Sequence, residues 1–247
     1  MGALPMKIFK LVTVNLLILC LFLSNEKVSF SEPQIKYIAI GDSLTAGLGA
    51  SEVNYLRIGA FVPSFVKYLR EEKGFSVDVE NHGIPGLTSA GFLANIHNSK
   101  GLQEKIAMSN LITVTIGGND FLQLIRSDQT TLANAKQRLV DLEKELNNIH
   151  ALLRSINSTC EIYYIGLYNP YPENHTYYDI AETIVPLYND LLSTVTKESN
   201  SHLLNPYDVF LNNAKALTHI SKDDIHPNDL GYQKITAKLI QTYSSTE

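Results

Sequence analysis

Residues 35–47 read IKYIAIGDSLTAG. The first six are apolar except for Lys36 and lead into Gly41 and Asp42, so they form a strand that stops at a turn. Ser43 follows directly. Further runs repeat the pattern: Ser76–Glu80 runs into Asn81-His82-Gly83, and Leu111–Ile116 (LITVTI) into Gly117-Gly118. Ile162–Ile165 is followed by Gly166, and a fifth strand starts at His202–Leu204. LITVTI has no polar face other than threonine, which suits a strand covered on both sides. Between the strands lie helical patterns at Phe61–Leu69, 132–156, 179–197 and 229–242. In 132–156 the apolar residues Leu132, Ala135, Leu139, Leu142, Leu146, Ile149 and Leu153 recur at steps of three and four, giving one buried stripe. Strands alternating with helices predict an α/β fold with a parallel sheet covered on both faces, as one domain over 32–247. In such sheets ligands bind beyond the carboxyl ends of the strands, so the residues after each strand are candidates for a site.

The chain has 247 residues, 45% hydrophobic and 18% charged, which is ordinary globular composition. Its net charge of −5 offers no basic face for nucleic acid. Two cysteines, Cys20 and Cys160, exclude a disulfide scaffold and a cysteine-rich zinc site. Cys160, beside an apolar strand, reads as a core thiol. Residues 1–31 carry Lys7 and Lys10 ahead of the apolar run LVTVNLLILCLFL (11–23). That pattern predicts a secretory signal peptide, with Ser29 and Ser31 before a cleavage point at Glu32. The alternatives are an uncleaved anchor through residues 8–23 and lipidation at Cys20. All three make the protein secreted or extracytoplasmic, and membrane association would come only through this segment.

Four strand-end clusters carry possible chemistry. In the first, Ser43 sits directly after a buried strand at the expected start of a helix, where a nucleophile could meet backbone N–H groups; the plainer reading is a helix cap. Thr45 stands where the G-x-S-x-G elbow needs glycine. In the second, Gly83 could offer its N–H to a ligand or simply turn the chain. In the third, Gly117-Gly118-Asn119-Asp120, the Asn119 amide is a suitable oxyanion donor or the centre of an Asx turn. In the fourth, Asp223-Asp224-Ile225-His226-Pro227, a carboxylate can hold the imidazole. Asp223 is three residues before His226 and would share its face on a helical turn, which Asp224, two before, would not. A metal reading of these acids finds no further spaced ligand.

Together, GDSLTAG, the N-x-G cluster, GGND and the terminal D-x-x-H-P resemble the GDSL, or SGNH, hydrolase family, in the family's order from residue 37 to about 242. The overall appearance is similar to its small secreted Gram-positive acylhydrolases. The resemblance implies a flavodoxin-like three-layer α/β/α fold with a five-stranded parallel sheet in order 2-1-3-4-5. It implies an esterase, lipase, lysophospholipase or thioesterase that needs no cofactor, with carbohydrate O-deacetylation as the alternative and a non-catalytic binding role as a lesser one. Ser43 would be the nucleophile, His226 the base and Asp223 its orienting acid. The N–H groups of Ser43 and Gly83 and the side chain of Asn119 would form the oxyanion hole. The expected partner is a small-molecule, lipid or acetylated-glycan ester, met by a monomer. Tyr168 and Tyr171, in the aromatic stretch after the fourth strand, could line the substrate pocket or belong to a loop packed on itself. His82 and the remaining histidines read as packing or surface residues, and Asp42 and Asp120 as structural hydrogen-bond acceptors. The sequons at Asn157 and Asn174 would matter only in a eukaryotic secretory host.

Overall fold

A computed structural model describes residues 34–197 and 200–246. The expected signal segment, its anchor alternative and Cys20 lie outside the described residues. Five strands, β1 (Gln34–Gly41), β2 (Ser76–Gly83), β3 (Leu111–Thr115), β4 (Glu161–Ile165) and β5 (Ser201–Leu204), form one parallel sheet in the order β2-β1-β3-β4-β5. The strands' period of two splits their side chains between two cores. Tyr37 and Ala39 of β1, with Leu111, Tyr163 and Ile165, pack against α1 (Phe61–Glu71) and the last long helix. Ile38 and Ile40, with Ile112, Val114, Ile162 and Tyr164, face the other way. That second core is closed by α2 (Ser89–Asn98), α3 (Lys100–Met108), α5 (Leu132–Ile156) and α6 (Tyr178–Val195). Helix α4 (Gly118–Arg126) stands beyond the end of β3. The remaining helices are short α7 (Tyr207–Phe210) and α8 (Ala214–Leu217), a 3-10 turn (Ile220–Lys222) and the long α9 (Asp229–Ser244).

The expected strands and helices are present, with ends that differ by up to three residues. The stripe on α5 buries Leu142, Leu146, Ile149 and Leu153 completely. Leu132 does not join it: the residue is 40% exposed at the start of α5, although Ala135 one turn on is buried. The residues between β2 and β3, unassigned by periodicity, hold α2 and α3. Thr88 caps α2 by accepting from Gly91 N–H, and Ser99 ends α2 while capping α3 by accepting from Leu102 N–H. Each helix is too short for its period to stand out.

Asn157 caps the other end of this layer. Its amide donates to the carbonyls of Ile106 and Ser109, at 2.9 and 2.7 Å, and its oxygen accepts from Cys160 N–H at 3.1 Å. The side chain is buried, so this sequon presents no acceptor for a glycan. Cys160 is buried beside it, as expected of a core thiol, and burial pushes the thiol up from its ordinary range. Asn157→Ala leaves several buried polar groups without partners, each worth about 1–3 kcal/mol. The expected outcome is a melting temperature lower by at least about 4 °C, with unchanged activity at 25 °C, read by circular dichroism and an ester assay.

Candidate active site

The site lies beyond the carboxyl ends of β1 and β3. After Gly41 the chain makes an irregular turn over Ser43–Gly49 instead of the expected helix start. Its bonds run from Ala46 N to Asp42 O, Gly47 N to Leu44 O and Leu48 N to Ser43 O, a mixture of spacings that no regular helix has. Asp42 holds the turn in place. It is 4% exposed and accepts from Leu44 N–H at 3.0 Å and from Thr115 Oγ1 at 2.8 Å. Burial raises the Asp42 carboxyl above its ordinary value, opposed by these hydrogen bonds and by the charge of His226. From the far side Tyr232 of α9 donates its hydroxyl to Leu48 O at 2.7 Å. The Ser43 N–H makes no hydrogen bond among the described residues and stays available to a ligand.

His226 follows the 3-10 turn. Its Nδ1 lies 2.5 Å from Oδ1 of Asp224, and the same oxygen accepts the His226 backbone N–H at 3.0 Å. The carboxylate on the imidazole is therefore Asp224, and the assignment of Asp223 is corrected. Asp223 ends the 3-10 turn in the left-handed region, with φ 59°, and its N–H donates to Ile220 O. Because the backbone leaves helical geometry there, the three-residue spacing loses its meaning. An Asx-type contact over two residues brings Asp224 up to the ring instead. Burial acts to raise the Asp224 carboxyl, but hydrogen bonds from the His226 backbone and ring, with the ring's charge, outweigh it and hold the group below the ordinary range. His226 is braced by Tyr168, whose hydroxyl donates to Ile225 O at 2.8 Å while its ring stacks on Phe210.

Asn119 is the second residue of α4. Gly117 starts that helix in the left-handed region, φ 96°, with its Cα against the Tyr188 ring where a side chain could not fit. The Asn119 amide donates one hydrogen to Leu87 O at 3.1 Å, which leaves the second N–H for a ligand. Asp120, next in the chain, accepts from Ser89 N–H and Ser89 Oγ and from Arg138 at 2.5 Å. Arg138 also holds Glu145 at 2.6 Å, and Ser89 Oγ touches Glu145 as well. Asp42, Ser43, Asn119 and His226 line one cavity together.

Gly83 is not brought into that cavity. Its N–H donates to Asn81 Oδ1 at 2.9 Å, and it lines a separate depression with His82 and Ile84. Its glycine has a steric reason: a Cβ would lie 2.2 Å from Ala46 N, so β2 could not pass beneath the Ser43 turn. Within the chain the Gly83 N–H is thus already satisfied, which corrects its expected place as a free oxyanion donor. His82 bonds Glu80 and His202 bonds Glu161, in keeping with packing and surface roles.

From Ser43 the cavity continues between α4 and the first half of α6. Phe121, Leu122, Leu124 and Ile125 form one wall, and Ile180, Ala181, Ile184 and Val185 the other. Leu167, Tyr168, Pro170, Tyr171 and Tyr177 close the side toward β4. Tyr168 and Tyr171 therefore both line the pocket, and Tyr171 also stacks on His175 and meets Tyr177 edge-on.

This constellation has counterparts in known proteins. The chain matches the GDSL-like Lipase/Acylhydrolase family over residues 39–234. It belongs to that family. Among curated proteins, the spore germination lipase LipC of Bacillus licheniformis is 26% identical over 218 residues, covering 83% of this chain and 94% of LipC. The protein YpmR of Bacillus subtilis is 26% identical over 215 residues, covering 85% of this chain and 82% of YpmR. Among solved structures, the lipase Lip_vut3 from a goat rumen metagenome superposes with a TM-score of 0.72 at 24% identity, covering 85% and 97% of the two chains. A variant of Axe2, an acetyl xylan esterase from Geobacillus stearothermophilus, gives 0.64 at 18% identity, covering 86% and 94%. These similarities establish the GDSL fold and a carboxylic ester hydrolase.

The GDSL site geometry separates the two adjacent acids. Asp224→Asn removes the charge that faces Nδ1 and is expected to lower kcat by up to about 10⁴-fold, as in other serine hydrolases. Asp223→Asn touches neither ring nitrogen and is expected to stay within about twofold of the parent. Steady-state kinetics of both variants on one ester, with folding checked by circular dichroism, decide between them. A larger loss in Asp223→Asn would overturn the geometry.

Proposed function

We propose that this hydrolase cleaves esters of fatty acyl chains through an acyl-enzyme on Ser43. The observation that carries the proposal is the apolar cavity joining Ser43, Asn119 and His226 to the facing walls of α4 and α6. Phe121, Leu122, Leu124 and Ile125 are only half-buried along an otherwise apolar face of α4. Such a face gains by covering itself with hydrocarbon, about 0.8 kcal/mol for each methylene buried.

In the reaction, Ser43 Oγ attacks the ester carbonyl carbon while His226 Nε2 takes the hydroxyl proton. The imidazolium so formed is held by Asp224. The carbonyl oxygen becomes an oxyanion facing the Ser43 N–H and the free N–H of Asn119. The carbon–oxygen bond to the alcohol breaks, and His226 returns the proton to the departing oxygen. Water, deprotonated by His226, attacks the acyl-enzyme; the acid leaves and Ser43 regains its proton.

The cavity follows α4 from Asn119 to Ile125, about 9 Å at the helical rise. At about 1.25 Å per bond of extended chain, that length seats an acyl group of about eight carbons. Among the described residues, the α4 and α6 walls carry no cluster of polar side chains suited to a sugar, so the cavity favours the lipid over the deacetylase reading. The basic and apolar N-terminal segment supports an extracytoplasmic place of action.

A chain-length series of one alcohol's esters tests the substrate class. kcat/KM is expected to rise about fourfold per methylene from acetyl and to level off near octanoyl. Ser43→Ala should abolish turnover across the series, with a loss on the order of 10⁶-fold. Ala181→Phe, which fills the middle of the cavity, should move the optimum to shorter chains and leave acetyl hydrolysis nearly unchanged. A parent enzyme that prefers acetyl to octanoyl esters would overturn the fatty-acyl reading.

A further inference from the structure

We infer that Arg138, on α5, is a positioning residue for the oxyanion donor Asn119, acting through Asp120 and Ser89; the inference rests on the role given to Asn119 above. Arg138 does not line the cavity. Its guanidinium, 19% exposed, grips two carboxylates at once, Asp120 from α4 and Glu145 from its own helix. The Asp120 carboxylate is fully buried and binds both the N–H and the hydroxyl of Ser89, the first residue of α2.

Two ties therefore join the first turn of α4 to the start of α2 and the chain just before it, side by side. One is Asp120 to Ser89. The other is Asn119 to Leu87 O, two residues upstream. The second tie fixes which way the Asn119 amide points, and so where its remaining N–H lies. The first tie fixes where Leu87 O sits relative to α4. It holds only while Arg138 neutralises Asp120, because Glu145 stands against the same Ser89 hydroxyl. Without the guanidinium, two carboxylates, the Asp120 one fully buried, would share that hydroxyl and repel each other. The first turn of α4 would then shift, and the Asn119 donor with it. Arg is needed for geometry as well as charge, since its fork reaches both acids at once, where a lysine is a single point.

An oxyanion exists only once the carbonyl has been attacked. A misplaced donor therefore lowers kcat and spares KM, whereas a loosened pocket would raise KM. Arg138→Met is expected to lower kcat by about 10²-fold with KM within about twofold. Arg138→Lys should fall between it and the parent. The deciding measurement is a double-mutant cycle with Asn119→Ala, which alone should cost about 10²–10³-fold in kcat. In that background neither Arg138 change should lower kcat by more than about a further twofold, because the donor it positions is gone. Thermal melts set the assay temperature well below unfolding for every variant. If Arg138→Met does not fold, Arg138→Lys carries the cycle. Equal losses with and without the Asn119 side chain, or a rise in KM that matches the fall in kcat, would overturn the inference and leave the oxyanion role of Asn119 standing. A silent Asn119→Ala would overturn both.

Discussion

The Ser43 turn depends on a carboxylate buried where β1 and β3 end. Asp42 takes hydrogen bonds from Leu44 N–H and Thr115 Oγ1, and Thr115 in turn meets Thr45 Oγ1 at 2.8 Å. Burying an acid is unfavourable, and the raised affinity of Asp42 for a proton shows it. The hydrogen bonds offset that penalty only in this one arrangement of the turn. The acid thus converts a stretch that could wind into several local structures into one with Ser43 at a fixed place. The same charge lies close enough to His226 for the two to stabilise each other when the imidazole carries a proton.

Three further contacts meet at this turn from distant parts of the chain. Tyr232 holds Leu48 O, His219 Nε2 lies 2.8 Å from Gly49 O, and β2 passes below at Gly83. Ser43 is therefore fixed by the sheet edge, by α9 and by the loop that carries His226. A turn with so few regular hydrogen bonds of its own would be mobile if left alone. Its rigidity is borrowed from tertiary contacts, and nothing in the local sequence displays it.

That division explains what could be read from the sequence. The five strands were legible because each is a short apolar run stopped by glycine or a polar turn. Ser43, Asn119 and His226 were legible because they follow such stops or precede the last helix. The assignment of Asp223 failed because it assumed helical spacing in a segment whose first residue is left-handed, and no residue type there announces that change. Gly83 was chosen for its N–H, while the close passage of Ala46 that requires a glycine is visible only in three dimensions. Arg138, Glu145 and Ser89 carried no signal, since each is an ordinary residue in an ordinary helix. Their meaning arises from three elements converging on Asp120. The cavity was foreseeable only in outline from the aromatic stretch at Tyr168–Tyr178, because α4 lay in a stretch whose glycines suggested a turn.

The two faces of the sheet have taken on different tasks. Ser43 and His226 are secured from the core that holds Leu44, Tyr168, Phe210 and Tyr232. Asn119 and the α4 wall of the cavity are built on the opposite core, which includes Phe121, Leu167 and Tyr188, while Tyr168 lines the cavity from the first core. The central strands separate the two with fully buried side chains. Packing changes in one core are therefore poorly transmitted to the other, since each is filled independently at near-crystalline density. On the proposed function, a residue on α6 can be enlarged or reduced to suit another acyl chain without moving the Ser43 turn. Asn119 is the exception, because it shares its helix with the cavity wall. A change in the cavity that pushes on α4 would also push on Asn119, unless the first turn of that helix is clamped. The clamp of Asp120 and Arg138 sits at that first turn, which is where it can isolate the chemistry from the pocket.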